Sequence, residues 1–163
     1  MVGLLVGKQS NKMLDEIDAE IIKILQEDCR ASLEYIANKL GVPKSTIYYR
    51  IRRLEKDGII EGYYAKINFE KLGKDFLTIT SVRAKYEQGY HEKVGKKICA
   101  IPGVWGVYFV FGENDFIVMA RSKNREDYLR KLETIMSMPE IERTNTLIVA
   151  KVLKEDPREG LAL

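Results

Sequence analysis

The chain has 163 residues, of which 45% are hydrophobic and 31% are charged, so its composition is that of a globular protein and excludes the disordered and fibrous classes. The formal net charge of +3 is too small to indicate nucleic-acid binding, so only a local concentration of basic residues would do so. No apolar run approaches the roughly 20 residues that span a bilayer, and nothing marks secretion, so we expect a cytoplasmic protein that does not enter a membrane.

The first part of the chain predicts three short helices. Apolar residues recur at helical spacing in the first of them, at Ile17, Ile21, Ile24 and Leu25. The inward residues of the second helix are Leu33, Ile36, Ala37 and Leu40. Ser32 can cap this second helix and Gly41 can end it, because a left-handed residue is wanted there. Pro43 has no N–H to lose, so it suits the entry to a third helix from about Lys44 to Lys56.

The third helix concentrates the positive charge of this part of the chain. It holds five basic residues and one acid, Glu55, and its core stripe consists of Ile47, Ile51 and Leu54. The opposite surface and its flanks combine cationic donors, hydroxyls and aromatic rings, which suit phosphates and base edges in a major groove. These residues are Lys44, Ser45, Thr46, Tyr48, Tyr49, Arg50, Arg52, Arg53 and Lys56. A solvated basic helix would have the same composition, but the tight turn before it forms a helix-turn-helix and favours DNA recognition.

The second part of the chain changes to alternating strand and helix patterns. An extended segment follows the third helix like a wing, and a polar stretch that contains a glycine then serves as a hinge. The predicted strands lie at 76–86, 104–111, 115–122 and 142–155. The helix at 89–101 has Tyr90, Val94, Ile98 and Ile101 on its inward face, and the helix at 124–138 has Leu129, Leu132 and Met136.

This order, βαββαβ, is that of a ferredoxin-like sandwich. We therefore predict an α+β chain in which a winged helix-turn-helix DNA-binding domain is joined by a hinge strand to a ferredoxin-like domain for effector binding and oligomerisation. The predicted boundaries are 1–13 for an N-terminal tail, 14–64 for the helix-turn-helix domain, 65–75 for the linker, 76–155 for the ferredoxin-like domain and 156–163 for a C-terminal tail.

Almost the whole chain resembles the Lrp/AsnC (feast/famine) transcription regulators. The matching pieces are LDEIDAEIIKILQEDCR near the start, STIYYRIRRLEKDGII in the third helix, and PGV followed by GEND in the second part. Pro43 departs from the family, which usually has a serine cap at this position. The resemblance implies regulation of transcription and a homodimer assembled through the ferredoxin-like domains, often stacked into tetramers or octamers. It also implies an amino-acid effector bound where those domains meet, and no other cofactor.

The resemblance further implies where the effector binds. The matching residues are Gly103, Val104, Phe111, Gly112, Glu113, Asn114, Asp115, Thr144 and Thr146. An amino acid carries a cation beside an anion, so Asp115 would bind the ammonium, and backbone N–H groups beside the glycines would bind the carboxylate. From its spacing alone, the same loop is a plain hairpin turn. The segment WGVYFVFGENDFIVMAR is similar to archaeal glutamine-responsive members, which makes glutamine the first candidate effector.

Other functions stay open at this point. The βαββαβ order is shared with RNA-binding domains, although VWGVYFVFG lacks the basic-Gly-aromatic-Gly start of their stacking strand. A ligand-binding and oligomerisation module without a DNA role is a further alternative. Enzymatic activity is not expected, because one histidine and two distant cysteines, Cys29 and Cys99, leave no nucleophile–base pair and no metal set.

Overall fold

The computed structural model describes residues 14–156. The tail expected at 1–13, and all but the first residue of the tail expected at 156–163, lie outside the described residues. The chain divides into two compact units, of which the described parts are residues 14–66 with residue 156, and Ile67–Glu155. Within residues 14–156, no helix has both the length and the apolar character needed to cross a membrane.

The described part of the first unit contains three helices, α1 (Glu16–Glu27), α2 (Leu33–Leu40) and α3 (Lys44–Lys56). α1 begins with a capping box, in which Asp15 Oδ1 accepts a hydrogen bond from the Asp18 N–H at 2.9 Å and Asp18 Oδ2 accepts one from the Asp15 N–H at 3.3 Å. Ser32 caps α2 by accepting from the Tyr35 N–H at 3.1 Å. Gly41 ends α2 with a φ of 66°, so both predicted ends of this helix are confirmed.

The core of the first unit is built from one apolar stripe on each helix. Its buried members are Ile21, Ile22, Ile24, Ile36, Ala37, Ile47, Ile51 and Leu54. The stripes predicted from the sequence are confirmed, and the remaining predicted members, Ile17, Leu25, Leu33 and Leu40, pack at the edge of this core. Burial of one such large side chain contributes about 1.5–3 kcal/mol. Tertiary packing of these stripes therefore stabilises helices that are too short to be stable alone.

The chain leaves α3 through a left-handed glycine. Gly58 has a φ of 71°, and the N–H groups of Gly58 and Ile59 bond back to the carbonyls of Glu55 at 3.1 Å and Leu54 at 2.9 Å. Residues 61–68 then have no regular secondary structure, so the hinge strand expected here does not form within the described chain. A strand needs a neighbour for its N–H and C=O groups, and residues 14–156 supply none at this position.

The second unit is a four-stranded antiparallel sheet with two helices. Its elements are β1 (Phe76–Ala84), α4 (Tyr90–Cys99), β2 (Val104–Phe109), β3 (Phe116–Ser122), α5 (Arg125–Met136) and β4 (Ile141–Ile148). The strand order in the sheet is β2-β3-β1-β4. The helices cover one face of the sheet, and the core between them consists of Val82, Ala84, Val94, Ile98, Ile101, Phe116, Val118 and Ile135. The predicted ferredoxin-like architecture is confirmed.

The inward face of α5 differs from the prediction. Of the three residues expected to face inward, two are largely exposed: Leu129 at 40% and Met136 at 59%, with Leu132 half-buried. The residues that are buried are Tyr128 and Ile135. Tyr128 takes the inward position because its hydroxyl donates to Thr146 Oγ1 at 2.5 Å, which satisfies the polar end of a buried ring.

The last strand is shorter than the predicted segment 142–155. Among residues 14–156, β4 is an edge strand that pairs only with β1, and Ile148 lies opposite Thr78. The next hydrogen bond runs from the Val149 N–H to the carbonyl of Leu77 at 3.0 Å. β1 has a single residue before Leu77, so the rest of the predicted strand has no partner, and β4 ends.

Candidate DNA-reading surface and effector region

The outer surface of α3 presents the residues predicted to contact DNA. Tyr49 is 71% exposed and Tyr48 is 44% exposed, and their rings meet edge to face at 5.5 Å. The other exposed members of the set are Lys44, Ser45, Arg52 and Lys56, and the half-buried members are Thr46, Arg50 and Arg53. We call this set of nine residues the DNA-reading surface.

Within the described part of the chain, no side chain caps the N-terminus of α3. Pro43 occupies the cap position, where its carbonyl accepts hydrogen bonds from the N–H groups of Thr46 at 2.9 Å and Ile47 at 3.2 Å. The serine expected from the resemblance would also have bonded a first-turn N–H through its hydroxyl. The N–H groups of the first turn, at the positive end of the helix dipole, can therefore take an anion such as a DNA phosphate.

Two acids of α1 hold two arginines of the DNA-reading surface. Asp18 is 1% exposed, its Oδ1 accepts from Arg50 Nη1 at 2.8 Å, and its Oδ2 accepts from Arg53 Nη2. Asp15 binds the same Arg50 nitrogen through both oxygens, at 2.7 and 2.8 Å. The bond from Arg50 holds the pKa of Asp15 below its ordinary value, and the two acids raise the pKa of Arg50. The bonds from these two acids to α3 were not predicted from the sequence.

A third arginine of this surface is paired along the helix. Arg52 Nη1 lies 3.1 Å from Glu55 Oε2, and the Tyr63 hydroxyl donates to Glu55 Oε1 at 3.0 Å. Burial, and then the bond to Glu55, raise the pKa of Tyr63 to about 12. Among the described residues, no ion pair involves the two remaining cations of α3, Lys44 and Lys56. These two lysines stand at opposite ends of the helix.

A shallow, open depression lies on the DNA-reading surface and is lined by Thr46, Tyr49, Arg50 and Arg53. A guanidinium carries five N–H donors, so a bond to an acid leaves other donors for a ligand. The depression thus brings together a hydroxyl, an aromatic ring and cationic donors. Such groups can bind phosphate oxygens or the acceptor atoms of a guanine edge.

The loop predicted to bind the effector, residues 112–115, connects β2 to β3, and its last residue is tied to the rest of the fold. Asp115 Oδ2 accepts from the Ala84 N–H at 2.8 Å, and Oδ1 accepts from the Tyr90 hydroxyl at 2.7 Å. The bond to this carboxylate is the main reason why the pKa of Tyr90 rises to about 12. Both oxygens of Asp115 are used within the chain, so this residue fastens the hairpin to β1 and α4.

The other residues of the loop are more open. The Glu113 side chain is 75% exposed and pairs with Arg143 at 2.5 Å, and its carbonyl accepts from Arg83 Nη1 at 3.2 Å. Phe111, just before the loop, is 96% exposed. Gly112 is exposed and Asn114 is half-buried. Glu113 is therefore the carboxylate of this loop that a ligand can reach.

Two of the predicted effector residues lie at the other end of β2. Val104 pairs with Ala120, which lies four residues along β3 from Phe116, the residue beside the loop. Gly103 and Val104 are therefore roughly 13 Å or more from the loop. Gly103 has a φ of 88°, and a Cβ there would lie 2.6 Å from the carbonyl oxygen of Arg121. A close approach of two backbones explains this glycine without a ligand.

The last two predicted effector residues lie on β4, which β1 separates from β3. Thr144 is opposite Val82, which in turn is opposite Phe116, so Thr144 is level with the loop. Thr146 Oγ1 lies 2.9 Å from Thr80 Oγ1 and accepts the bond from Tyr128, so its hydroxyl is engaged inside the fold. A single chain does not gather the nine predicted effector residues in one place.

Known proteins match both units. A family model for the winged helix-turn-helix DNA-binding domain matches residues 14–61, and one for the Lrp/AsnC ligand binding domain matches residues 79–159. An uncharacterized HTH-type transcriptional regulator of Pyrococcus abyssi is 42% identical over 146 residues, which cover 90% of this chain and 98% of that protein. The HTH-type transcriptional regulator FL11 of Pyrococcus horikoshii is 40% identical over 142 residues, covering 87% and 93%. The crystal structure of the transcriptional regulator NMB0573/L-Met complex from Neisseria meningitidis has the same fold, with a TM-score of 0.82 at 21% identity over 88% of this chain and 94% of that one.

The fold and the two family matches define a helix-turn-helix transcriptional regulator with a ligand-binding domain. The chain belongs to the Lrp/AsnC family of transcriptional regulators, which confirms the family predicted from its motifs. This family consists of DNA-binding regulators and not of enzymes.

Proposed function

We propose that this regulator binds duplex DNA in a sequence-specific manner through α3, and that an amino acid bound to its second unit changes its assembly and its affinity for DNA. The observation that carries the proposal is the DNA-reading surface, with Tyr49 exposed beside a depression that contains cationic donors. Phosphate contacts position a recognition helix on the duplex, and contacts to base edges give it specificity. Lys44 and Lys56, at the two ends of α3, suit phosphates, whereas Tyr49, Thr46 and Arg53 suit base edges.

A homodimer would present two such helices to half-sites one helical turn, or a multiple of it, apart on the duplex. The sheet face away from α4 and α5 supports this assembly, because it carries an apolar patch of neighbouring residues: Ile79, Tyr108, Ile117, Met119 and Leu147. Leu147 is 63% exposed and Tyr108 is 54% exposed in the single chain. Exposed apolar patches of this kind mark protein interfaces. We therefore propose a dimer formed through the sheets, with tetramers or octamers as higher assemblies.

The same sheet face favours duplex DNA over RNA as the partner. RNA-binding domains of this strand order stack bases on exposed aromatic rings. Where the two central strands, β1 and β3, face away from the helices, they carry Ile79, Ser81, Ile117 and Met119 and no aromatic ring. We propose that the protein acts in the cytoplasm, as expected from the sequence.

We propose that the effector site lies between copies of the chain and includes the loop 112–115 and Thr144. Glu113 would bind the ammonium group, because its side chain is 75% exposed and pairs with Arg143 through Oε1, whereas both oxygens of Asp115 are bonded inside the fold. The backbone N–H groups of the loop would bind the carboxylate. Glutamine is the first candidate, from the likeness of residues 105–121 to glutamine-responsive regulators. Methionine is the second, because a protein of the same fold forms a complex with L-Met.

We propose residues 65–75 as a hinge between a DNA-binding domain at 14–64 and an effector domain at 76–155. The hinge contains a turn held by bonds from the Gly73 N–H to the Glu70 carbonyl at 2.9 Å and from the Lys74 N–H to the Phe69 carbonyl at 2.8 Å. An effector can shift the equilibrium between two assemblies only as far as its affinity differs between them.

The proposal is tested by calorimetric titration of the full chain with each of the twenty amino acids, followed by light scattering with every amino acid that binds. We expect one or a few to bind and to change the assembled mass. Glu113→Ala should weaken that binding, whereas Glu133→Ala, which removes an exposed acid from α5, should not. In parallel, fluorescence anisotropy should show stronger binding to duplex DNA than to single-stranded RNA. If no amino acid bound, the proposed amino-acid effector would be refuted. A preference for single-stranded RNA would refute the proposed binding of duplex DNA.

A further inference from the structure

We infer that Asp18 is a positioning residue for DNA readout: its buried carboxylate holds the guanidinium groups of Arg50 and Arg53 in fixed directions on the DNA-reading surface. The inference rests on the proposed DNA function and adds to it a specificity-determining residue that belongs to α1 and is itself shielded from the duplex. Because Arg50 and Arg53 are bonded to Asp18, these two of the five cations of α3 bind phosphates less readily and act as oriented hydrogen-bond donors instead.

The burial of Asp18 requires its partners. The residue is 1% exposed, and a buried carboxylate is costly unless it is paired and hydrogen-bonded. All of its partners are donors: Arg50 Nη1 at 2.8 Å, Arg53 Nη2, and the Asp15 N–H at 3.3 Å. Removing one member of such a buried pair leaves the other charge uncompensated. The two arginines are therefore constrained by the fold and not merely near an acid.

The N–H groups of Arg50 and Arg53 that do not bond to an acid lie where a ligand can reach them. Arg50 and Arg53 are three positions apart on α3, so they lie on one side of the helix and converge on one carboxylate. Their side chains are 21% and 35% exposed, and both line the depression that also contains Thr46 and Tyr49. A guanidinium is a planar, rigid fork, so anchoring one N–H sets the direction of the others. The depression thus receives donors in a fixed arrangement.

The charges explain why this arrangement favours specific over non-specific binding. Asp15 and Asp18 together balance the two guanidinium groups of Arg50 and Arg53. An unpaired arginine would bind any nearby phosphate, and each phosphate neutralised adds about 0.9 to the salt dependence of binding whatever the sequence. A side chain that is already held also loses less rotamer freedom when it docks. Pairing with the two acids therefore weakens non-specific binding to phosphates and reduces the entropy that the arginines lose when they dock on bases.

Asp18 also completes the capping box of α1. The test variant must therefore keep this cap and change only the positioning of the arginines. The cap requires only a side-chain oxygen that accepts from the Asp15 N–H, which asparagine supplies. Asp18→Asn therefore preserves size and cap but removes the charge that holds Arg53 and one of the two charges that hold Arg50. Glu20→Gln is the matched control, because it removes one charge from the same helix, from a side chain that pairs with Lys23 at 2.8 Å and not with α3.

The experiment uses the full chain and two duplexes: one selected by the wild-type protein from a random pool, and a scrambled duplex of equal length and composition. Dissociation constants are measured by fluorescence anisotropy over a range of salt concentrations. For Asp18→Asn, we expect tighter binding to the scrambled duplex, a salt slope steeper by roughly 1–2, and a ratio of specific to non-specific affinity lowered by about tenfold or more. Glu20→Gln should keep the wild-type ratio and slope.

The outcomes are distinct. Equal weakening on both duplexes with an unchanged salt slope would show that Asp18 only supports the fold, and an unchanged ratio would show that it does not position the arginines. A similar gain for Glu20→Gln would assign the effect to net charge. If the wild-type protein enriches no sequence from the pool, the proposed function fails first, and the inference fails with it.

A second variant keeps the inference testable if circular dichroism shows that Asp18→Asn does not fold. Arg53→Lys retains the positive charge and the ion pair with Asp18, but it loses the planar fork. We expect a lower ratio of specific to non-specific affinity with a salt slope close to that of the wild type. A wild-type ratio in Arg53→Lys would overturn the positioning role, since a point charge would then serve as well as an oriented guanidinium.

Discussion

The bond between Asp115 and Tyr90 allows a direct measurement of how firmly the loop between β2 and β3 is fastened. Replacing Asp115 with alanine removes the acceptor of two hydrogen bonds, at 2.8 Å from the Ala84 N–H and at 2.7 Å from the Tyr90 hydroxyl. A hydrogen bond to a charged group contributes about 1.5–3 kcal/mol. Because the residues are partly exposed, water can replace some of this, and we expect the free energy of unfolding to fall by about 2–4 kcal/mol.

A double-mutant cycle isolates the contribution of the tyrosine. Asp115→Ala, Tyr90→Phe and the double variant are unfolded in urea, and we expect a coupling energy of about 1–2 kcal/mol. The fluorescence of Trp105, the single tryptophan of the chain, reports on the second unit because it lies in β2. Glu113→Ala is the control, since an exposed ion pair contributes only about 0–1 kcal/mol.

A coupling energy near zero would refute this account of the loop. Equal losses of stability for Asp115→Ala and Glu113→Ala would refute it as well, because the first residue would then be no more embedded than the second. Either result would return Asp115 to the role expected from the sequence, that of an open acid available to an ammonium group. Asp115→Ala would then abolish the effector response and leave effector-free DNA binding intact.

The DNA-reading surface, the start of β4 and the open sheet face each allow a separate test. Tyr49→Ala should lower the discrimination between selected and scrambled duplexes by about 1–3 kcal/mol in fluorescence anisotropy; unchanged discrimination would remove Tyr49 from the base contacts. Lys97 and then Lys93 lower the pKa of Glu140 from 4.5 to about 2, so its contribution to stability is present above pH 4.5 and is lost as the pH falls toward 2. In urea unfolding, the stability difference between wild type and Glu140→Gln should shrink over that range, and a constant difference would contradict the pairing. Leu147→Glu, at a side chain 63% exposed on the sheet face, should halve the mass measured by light scattering, whereas an unchanged mass would place the interface elsewhere.

The parts of the fold that depend on local chemistry could be read from the sequence. Ser32 and Gly41 set the ends of α2 through their own side chain and backbone, so both are visible without knowledge of the fold. The prediction for the inward face of α5 is wrong because Tyr128 and Leu129 are adjacent and either side chain could be buried. Only the contact with Thr146 on β4 decides between them. The end of β4 depends in the same way on where its partner strand begins.

In the candidate site too, local features could be predicted from the sequence, whereas contacts between distant residues could not. The helical wheel was sufficient to place the DNA-reading surface on the outside of α3, but it carries no information about which acids its arginines meet. One signal was available: Asp18 precedes Ile21 and Ile22 by three and four positions, which puts it on the apolar stripe of α1. No comparable signal exists for Asp115, whose donors lie 25 and 31 residues away in the chain.

Hydroxyl-radical footprinting of the full chain on a duplex that it has selected from a random pool tests the central claim most directly. Two copies of α3 in successive major grooves predict two protected patches on one face of the duplex, about 10–10.5 base pairs apart or a multiple of that. Tyr49→Ala should reduce protection in both patches. Enrichment of no sequence, or protected patches whose spacing is neither one helical turn nor a multiple of it, would contradict the claim that this chain reads DNA through α3.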